Sequence, residues 1–369
     1  MSAPFSAIVG QPRAVEALRH ALAGDRLCPS LIFHGPPGVG KLPTALALAR
    51  ALLCPAAVPP CDGCAACRRI DERALLHPDL RVVFPERLSD FEKGQTPDEG
   101  SGGIDLQESQ AEAIANPAWT VLIDRIRQGI GFLQRHPAEG RRSILIVDQA
   151  HRMPAEAANA LLKTLEEPPA HAVLILMTPS YHALLPTLRS RARAITFQLV
   201  PRAELEAYLV RRLAIPQEEA SLRAGIASGR IGVAIDLDLA EFRRRRDALL
   251  QVLETLLRQG DAGIAVARAE EIARGGEAVE GDLEILISLL RDLMLAGALP
   301  GGRALIHVDC AGRLAALAHH LGADGPRAVD ELERAIAAIR RKGNRQLLLE
   351  NVLLDLVPGA APPAPAGPA

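Results

Sequence analysis

The sequence predicts an α/β domain with a parallel sheet over residues 1–198, followed by two helical domains. Two patterns indicate this fold class. In the first part, short continuous apolar runs alternate with helical segments, which is typical of a parallel sheet buried on both faces. After Pro201 the strand pattern nearly disappears, and helical segments separated by Gly-rich breaks take over.

The first domain is predicted to hold five strands with helices between them. The glycine turn at Gly35 ends the first strand, and a helix begins at Lys41. The strands are Ser30–Gly35, Leu80–Phe84, Ile144–Asp148, Ala172–Thr178 and Ala194–Gln198, and the helices are Lys41–Leu53 and Ala155–Glu166.

Two stretches of the chain depart from this regular pattern. The segment Pro85–Ile104 is acidic, rich in Gly and Pro and without periodicity, so a flexible insertion is predicted at about residues 85–118. The tail, residues 359–369, is a low-complexity segment rich in Pro and Ala and is predicted to be disordered.

The region after Pro201 divides into a small helical domain, residues 199–242, and a larger one, residues 243–358. The predicted helices are Arg202–Leu213, Phe242–Gln259, Ile264–Arg274, Gly281–Ala298, Arg303–Leu321 and Val329–Val357.

The composition excludes several classes of protein. The chain has 369 residues, of which 49% are hydrophobic and 3% aromatic, with 42 Lys+Arg against 44 Asp+Glu. A disordered chain would carry fewer apolar residues, and a near-neutral chain is not basic enough to bind nucleic acid over its whole surface. No apolar run reaches the roughly 18–20 residues of a membrane span, and no signal-peptide core is present. We therefore expect a cytoplasmic protein of several domains.

A glycine-rich loop, GPPGVGK, lies between the first strand and its helix. In that context Gly35, Pro36, Gly38 and Gly40 predict a loop whose backbone N–H groups face a phosphate, with Lys41 reaching the terminal phosphates. The motif is incomplete, however. The residue after the lysine should be Ser or Thr, whose hydroxyl holds Mg²⁺, but it is Leu42, and the next residue, Pro43, has no N–H to donate. We therefore expect weak or absent ATP binding.

A second position of the nucleotide site also departs from hydrolysing P-loop proteins. The third strand ends in Asp148, which is suited to hold the metal's outer ligands. The next residue in hydrolysing relatives is a glutamate that polarises water, whereas this chain has Gln149, which cannot accept the proton. For His151, a surface position at a helix entry is favoured over the alternative role of a replacement base. ATP hydrolysis by this chain alone is not expected.

Four of the six cysteines fall within fourteen residues, at Cys54, Cys61, Cys64 and Cys67. Four thiolates at this spacing fit a closed tetrahedral site for structural Zn²⁺. An Fe–S cluster also takes four cysteines, but nothing else indicates electron transfer. Unligated cysteines on a loop are the remaining interpretation.

These motifs together resemble the clamp-loader branch of the AAA+ proteins. The resemblance covers nearly the whole chain except the acidic insertion and the tail, and NALLKTLEEPP and the cysteine insertion are its most specific motifs. It implies an AAA+ domain with a zinc-binding insertion, a small helical lid and an all-α collar. The segments that carry it are Ile8–Gln11, the GPPGVGK loop, the cysteine insertion, Asn159–Pro169 (NALLKTLEEPP), Leu188–Arg191 (LRSR) and Asn344–Leu354.

Within that family, Leu42, Pro43 and Gln149 favour the delta-prime branch, in which nucleotide sites are often degraded, over gamma/tau. The resemblance implies that Arg191 is an arginine finger for the ATP site of a neighbouring gamma/tau subunit. The family's Ser-Arg-Cys motif is Ser-Arg-Ala here, which keeps the arginine. Thr178 occupies the family's sensor position.

The resemblance also implies the partners. They are delta and three gamma/tau copies in a hetero-pentamer held by the collar, with the sliding clamp and primed DNA reached through the complex. The chain would thus belong to a DNA-directed DNA polymerase holoenzyme without its own ATPase activity. Two other functions stay open: an ATP-hydrolysing gamma/tau-like subunit, and a zinc-stabilised DNA-binding adaptor.

Two helical surfaces carry competing interpretations. The run Arg243–Arg246 fits either a solvated, partly paired helix face, which is favoured, or a contact with DNA phosphates. An apolar stripe in the last helix fits either internal packing or a subunit interface; its residues are Leu347, Leu348, Val352 and Leu356.

Overall fold

The computed structural model describes residues 5–24, 26–71, 75–89, 105–298, 305–321, 325–341 and 343–357. Its contacts divide the chain into two compact units. One unit comprises Met1–Tyr208 with Gly229–Val233, and the other comprises Leu209–Ser228 with Ala234–Ala369. The predicted boundaries at residues 198 and 242 stay a prediction. The predicted disordered tail and residues 90–104 of the predicted insertion lie outside the described residues.

The first unit is built on a five-stranded parallel sheet with the strand order β2-β3-β4-β1-β5. All five predicted strands are confirmed to within two residues at each end. Their bounds are β1 Ser30–His34, β2 Leu80–Val83, β3 Ser143–Val147, β4 Ala172–Thr178 and β5 Arg193–Thr196.

Helices cover both faces of this sheet. Alternate residues of β3 pack into two separate cores: Ile144 and Ile146 face one core, whereas Leu145 and Val147 face the other. This two-sided burial is the reason for the continuous apolar strands. The helices are α1 Pro12–Ala23, α2 Lys41–Leu53, α3 Ala65–Arg68, α4 Leu106–Ala115, α5 Ile123–Gln134, α6 Ala155–Glu166 and α7 Pro186–Arg189.

The predicted insertion at residues 85–118 is not without structure in its second half, because α4 lies there. Asp105 caps this helix by accepting hydrogen bonds from the N–H groups of Gln107 and Glu108, at 2.9 and 3.0 Å. Leu106 and Ala113 are fully buried. Two buried side chains seven residues apart lie on one helix face, a pattern too sparse for the sequence to reveal.

Beyond the sheet the described chain is helical, as predicted. The described part of the second unit has a core of leucines contributed chiefly by its long helices. The remaining helices are α8 Arg202–Leu213, α9 Gln217–Ala227, α10 Ile231–Asp236, α11 Leu239–Gln259, α12 Ala262–Ala273, α13 Val279–Ala298, α14 Ala311–Leu321, α15 Gly325–Arg340 and α16 Arg345–Asp355. None of the helices in the described ranges is long and apolar enough to cross a membrane.

The prediction of one helix over Val329–Val357 is wrong, because α15 and α16 are separate. Asn344 starts α16 by accepting hydrogen bonds from the N–H groups of Gln346 and Leu347. The Gly343 N–H donates to the carbonyl of Ala338 and closes the preceding helix. Likewise, the helix predicted from Arg303 begins at Ala311.

The Arg243–Arg246 run is paired with carboxylates of its own unit, which agrees with the favoured interpretation. Each of its four arginines has a carboxylate partner; the Arg244 side chain is 75% exposed, whereas Arg246 is only 3% exposed. The partners are Asp309 for Arg243 (3.6 Å) and Arg246 (2.7 Å), Glu241 for Arg244 (2.6 Å), and Asp282 for Arg245 (2.6 Å).

The apolar stripe of α16 is mostly internal. Val352 and Leu356 are buried in the helical core, and Leu348 packs partly against it. Leu347 is 56% exposed and is the member of the stripe that faces solvent within the described part of this unit.

Candidate functional site

The glycine-rich loop follows β1 at the carboxyl edge of the sheet, where ligands bind in open α/β folds. Gly35, Gly38 and Gly40 have φ values of +145°, +74° and +97°, which side chains with a Cβ rarely adopt. A Cβ at Gly35 would lie 2.2 Å from the carbonyl oxygen of Phe197. The loop therefore has the glycine-dependent shape that its sequence predicted.

Lys41 is directed onto its own loop. Its Nζ donates hydrogen bonds to the carbonyl oxygens of Gly35 (2.6 Å) and Pro36 (2.7 Å). Burial lowers the pKa of Lys41 to about 8, and the negative charge of Asp148 opposes that shift. The ammonium group is thus satisfied within the protein.

The residues after Lys41 contribute to packing. Leu42 is 4% exposed and belongs to the core beneath the loop. The Thr44 hydroxyl is buried and donates to the carbonyl oxygen of Gly40 at 2.7 Å. Neither residue offers the free hydroxyl that a metal-bound nucleotide uses at this position.

Asp148 follows β3 at the same edge of the sheet. Its Oδ1 accepts from the backbone N–H of Gln149 and its Oδ2 from Nε2 of Gln110, both at 2.8 Å. Burial raises the pKa of Asp148, and these hydrogen bonds and the charge of Lys41 counteract the rise.

Gln149 and His151 lie in the turn that follows Asp148, and the backbone of Gln149 is strained. Gln149 has φ +47° and ψ +43°, and its side-chain nitrogen is buried without a partner among the described residues. His151 is half-buried, not on the open surface, and burial is the main cause of its lowered pKa. The Gln149 amide has no basic group that could accept a proton from water.

Thr178 ends β4 and is buried. Its hydroxyl donates to the carbonyl of Ser180 at 2.9 Å and accepts from the Ser180 N–H. The backbone carbonyl of Thr178 accepts from the N–H of Gly35, so this strand end supports the glycine loop directly.

The four clustered cysteines converge as predicted. The sulfur atoms of Cys54, Cys61, Cys64 and Cys67 all lie within 4.8 Å of one another. The Cys54 and Cys64 sulfurs are 3.9 Å apart, close to the roughly 3.8 Å edge of a tetrahedron with Zn–S bonds of about 2.3 Å. The residues therefore fit a metal ion.

Local backbone geometry favours thiolate at one of these ligands. The N–H groups of Gly63 and Cys64 point at the Cys61 sulfur and lower the pKa of that thiol to about 6. The Cys67 N–H approaches the Cys64 sulfur at 3.4 Å. The two donors at Cys61 stabilise its thiolate, which is the form that binds a metal.

Arg191 lies on the surface between α7 and β5. Its Nε and Nη2 contact one carboxylate oxygen of Glu166 at 2.8 and 2.6 Å. Its Nη1 contacts the carbonyl of Thr187 and the hydroxyl of Ser190, both at 3.1 Å. The guanidinium side chain is 35% exposed, so it is held in one orientation at a surface that another molecule can reach.

The chain is similar to a known protein family and to several known proteins. Residues 10–201, more than half of the chain, match the family described as DNA polymerase III, delta subunit. The chain belongs to this family. Subunits named delta' are among its relatives, and the predicted resemblance to the delta-prime branch of the clamp loaders is confirmed.

Two delta-prime relatives show how far the similarity extends. The chain is 28% identical to the DNA polymerase III subunit delta' of Escherichia coli over 91% of this chain and 92% of the relative. It is 29% identical to the Bacillus subtilis subunit delta' over 67% of this chain and 65% of the relative.

Similarities extend beyond the delta-prime branch. A gamma/tau subunit of Mycobacterium tuberculosis is 31% identical over 57% of this chain and 31% of its own length. A solved gamma subunit-related protein of Thermotoga maritima matches at 18% identity, covering 93% of this chain and 98% of its own, with a TM-score of 0.46.

The family membership and the sheet order together confirm the predicted fold class. Two residues of the site were not predicted: Gln110, which contacts Asp148, and Glu166, which contacts Arg191. Glu166 lies in the NALLKTLEEPP motif, so the sequence resemblance could have indicated it. Gln110 lies in the irregular insertion, where no sequence pattern indicated it.

Proposed function

We propose that this chain is a non-hydrolysing subunit of a DNA polymerase III clamp loader that supplies Arg191 to the ATP site of a neighbouring gamma/tau subunit. The observation that carries the proposal is the contrast between two sites on one domain. The chain's own nucleotide loop lacks the hydroxyl after Lys41 and a glutamate after Asp148. Arg191, in contrast, is exposed and oriented by four contacts.

The role assigned to Arg191 is electrostatic. A guanidinium placed against a γ-phosphate stabilises the charge that develops during phosphoryl transfer, and such a group is worth about 10³–10⁵ in kcat. Glu166 would hold the guanidinium in place until a phosphate competes for it. This chain would thus complete a neighbour's site and transfer no phosphate itself.

The cysteine cluster would serve the same domain structurally. Zinc held by four thiolates has no open coordination position and would only tie together the loop after α2. The assembly with delta and gamma/tau, and its action on the sliding clamp and primed DNA, belong to this proposal.

The test is a clamp loader reconstituted with Arg191→Ala. The DNA-stimulated ATP turnover of the site that receives the finger should fall by roughly a thousandfold, with the complex still assembled on gel filtration. Arg193→Ala, an exposed arginine two residues away, is the matched control and should leave turnover unchanged. Unchanged turnover with Arg191→Ala would contradict the assigned role.

The rival functions make different predictions. Mg-ATP turnover by the isolated chain, abolished by Lys41→Ala, would identify a gamma/tau-like ATPase. A DNA-binding adaptor would instead fail to assemble with gamma/tau and delta, and the isolated chain would bind DNA with an affinity that falls steeply with salt.

A further inference from the structure

Helix α4 lies against the Asp148 carboxylate at the end of β3. The Asp148 carboxylate, which in competent P-loop sites faces the metal, is only 4% exposed here. Nε2 of Gln110, from the middle of α4, donates to Asp148 Oδ2 at 2.8 Å. The neighbouring oxygen is occupied by the Gln149 N–H.

Contacts near both ends of α4 hold Gln110 in this position. Near the start of the helix, Leu106 is fully buried in the core on one face of the sheet. At its end, Nη1 of Arg152 donates to the carbonyl oxygens of Ala113 (2.7 Å) and Asn116 (3.2 Å). Because Arg152 lies four residues after Asp148, the same turn that carries the carboxylate also holds the helix over it.

A side-chain amide satisfies this carboxylate without bringing any charge. A divalent cation needs oxygen lone pairs directed at it and a site it can reach from solvent. At Asp148 one lone pair of Oδ2 accepts from an N–H donor, and burial removes the access. Lys41, the other charged group of the site, is satisfied by two loop carbonyls. The donor set does not fit a metal-bound nucleotide.

We infer that Gln110 occupies the side of Asp148 that faces the divalent cation and its ligands in competent P-loop sites, so that α4 excludes metal-bound nucleotide from this chain. The inference rests on the proposed non-hydrolysing function and gives it a cause separate from Leu42 and Pro43. Gln110 acts through Asp148 as a specificity-determining residue for the site.

The test uses Mn²⁺ as the probe, titrated into the zinc-loaded full chain and followed by paramagnetic resonance. Gln110→Glu places a second carboxylate against Asp148 and creates the paired oxygen ligands that Mn²⁺ prefers. This variant should bind Mn²⁺ about tenfold or more tightly than the wild type. Gln107→Glu adds the same charge on the exposed side of the same helix and should match the wild type.

Gln110→Ala is a second variant that tests the inference if Gln110→Glu does not fold. It removes the donor without adding charge and should give a smaller gain in Mn²⁺ affinity. Wild-type affinity equal to that of Gln110→Glu, or no gain in either folded variant, would overturn the inference. Those results would leave the proposed function standing, because that function fails only if the wild-type chain hydrolyses Mg-ATP.

Discussion

A buried histidine in the second unit should make the stability of this protein depend on pH. His307 is fully buried, its ring stacks on Phe242 with centroids 5.9 Å apart, and its Nε2 lies 2.9 Å from the Ser288 hydroxyl. Its Nδ1 is without a partner among the described residues. Burial, and next the charge of Arg246, lower the pKa of His307 from 6.5 to about 4, although Asp309 and Asp247 oppose the shift.

The direction of the effect follows from proton binding. Below pH 6.5 the unfolded chain binds a proton at this residue, whereas the folded chain stays neutral until about pH 4. The stability of the folded state is therefore intact above pH 6.5 and is lost as the pH falls from 6.5 towards 4. A shift of this size costs about 2 kcal/mol at about pH 5 and about 3 kcal/mol below pH 4.

The perturbation is His307→Gln, which keeps an amide near Ser288 but does not titrate. The free energy of unfolding is measured by urea denaturation with far-UV circular dichroism at about pH 7.5 and about pH 5. The wild type should lose about 2 kcal/mol more than the variant between these two pH values. His319→Gln, an exposed histidine of the same unit, is the control and should keep the wild-type pH dependence. Equal losses in His307→Gln and the wild type would refute the reasoning.

Three further outcomes are expected. Elemental analysis should find one zinc per chain, and Cys61→Ser combined with Cys64→Ser should remove it, since two ligands cannot close the site; full zinc content in the double variant would place the metal elsewhere. Leu286→Ala should lower the free energy of unfolding by about 2–5 kcal/mol in urea denaturation, because this side chain is fully buried in the helical core. Asp79→Asn should cost about 1–3 kcal/mol by the same measurement, because the buried carboxylate accepts three backbone N–H bonds; a change within error would show that those bonds are not needed.

Sequence reasoning was accurate for all five strands and for the bounds of three helices. The strands are sealed on both faces, so each reads as a continuous apolar run, and the bounds of Lys41–Leu53, Ala155–Glu166 and Arg202–Leu213 were predicted to the residue. Among the helices of ten or more residues it missed α1, α4, α5 and α9, and it joined α15 to α16. The missed break depends on two adjacent residues, Gly343 and the capping Asn344, which lie between two helical segments.

The candidate site likewise has parts that the sequence predicts and parts that it does not. The glycine loop and the cysteine cluster could be recognised from the sequence because their members lie within a few residues and their spacing fixes their geometry. Gln110 and Asp148 are 38 residues apart, and Glu166 and Arg191 are 25 apart. Spacing carries no information about such pairs, because only packing of α4 and α6 brings them together. The sequence by itself thus determined which residues the glycine loop contains and which it lacks, whereas only the tertiary structure places the amide of Gln110 against the Asp148 carboxylate, because packing of α4 brings the two together.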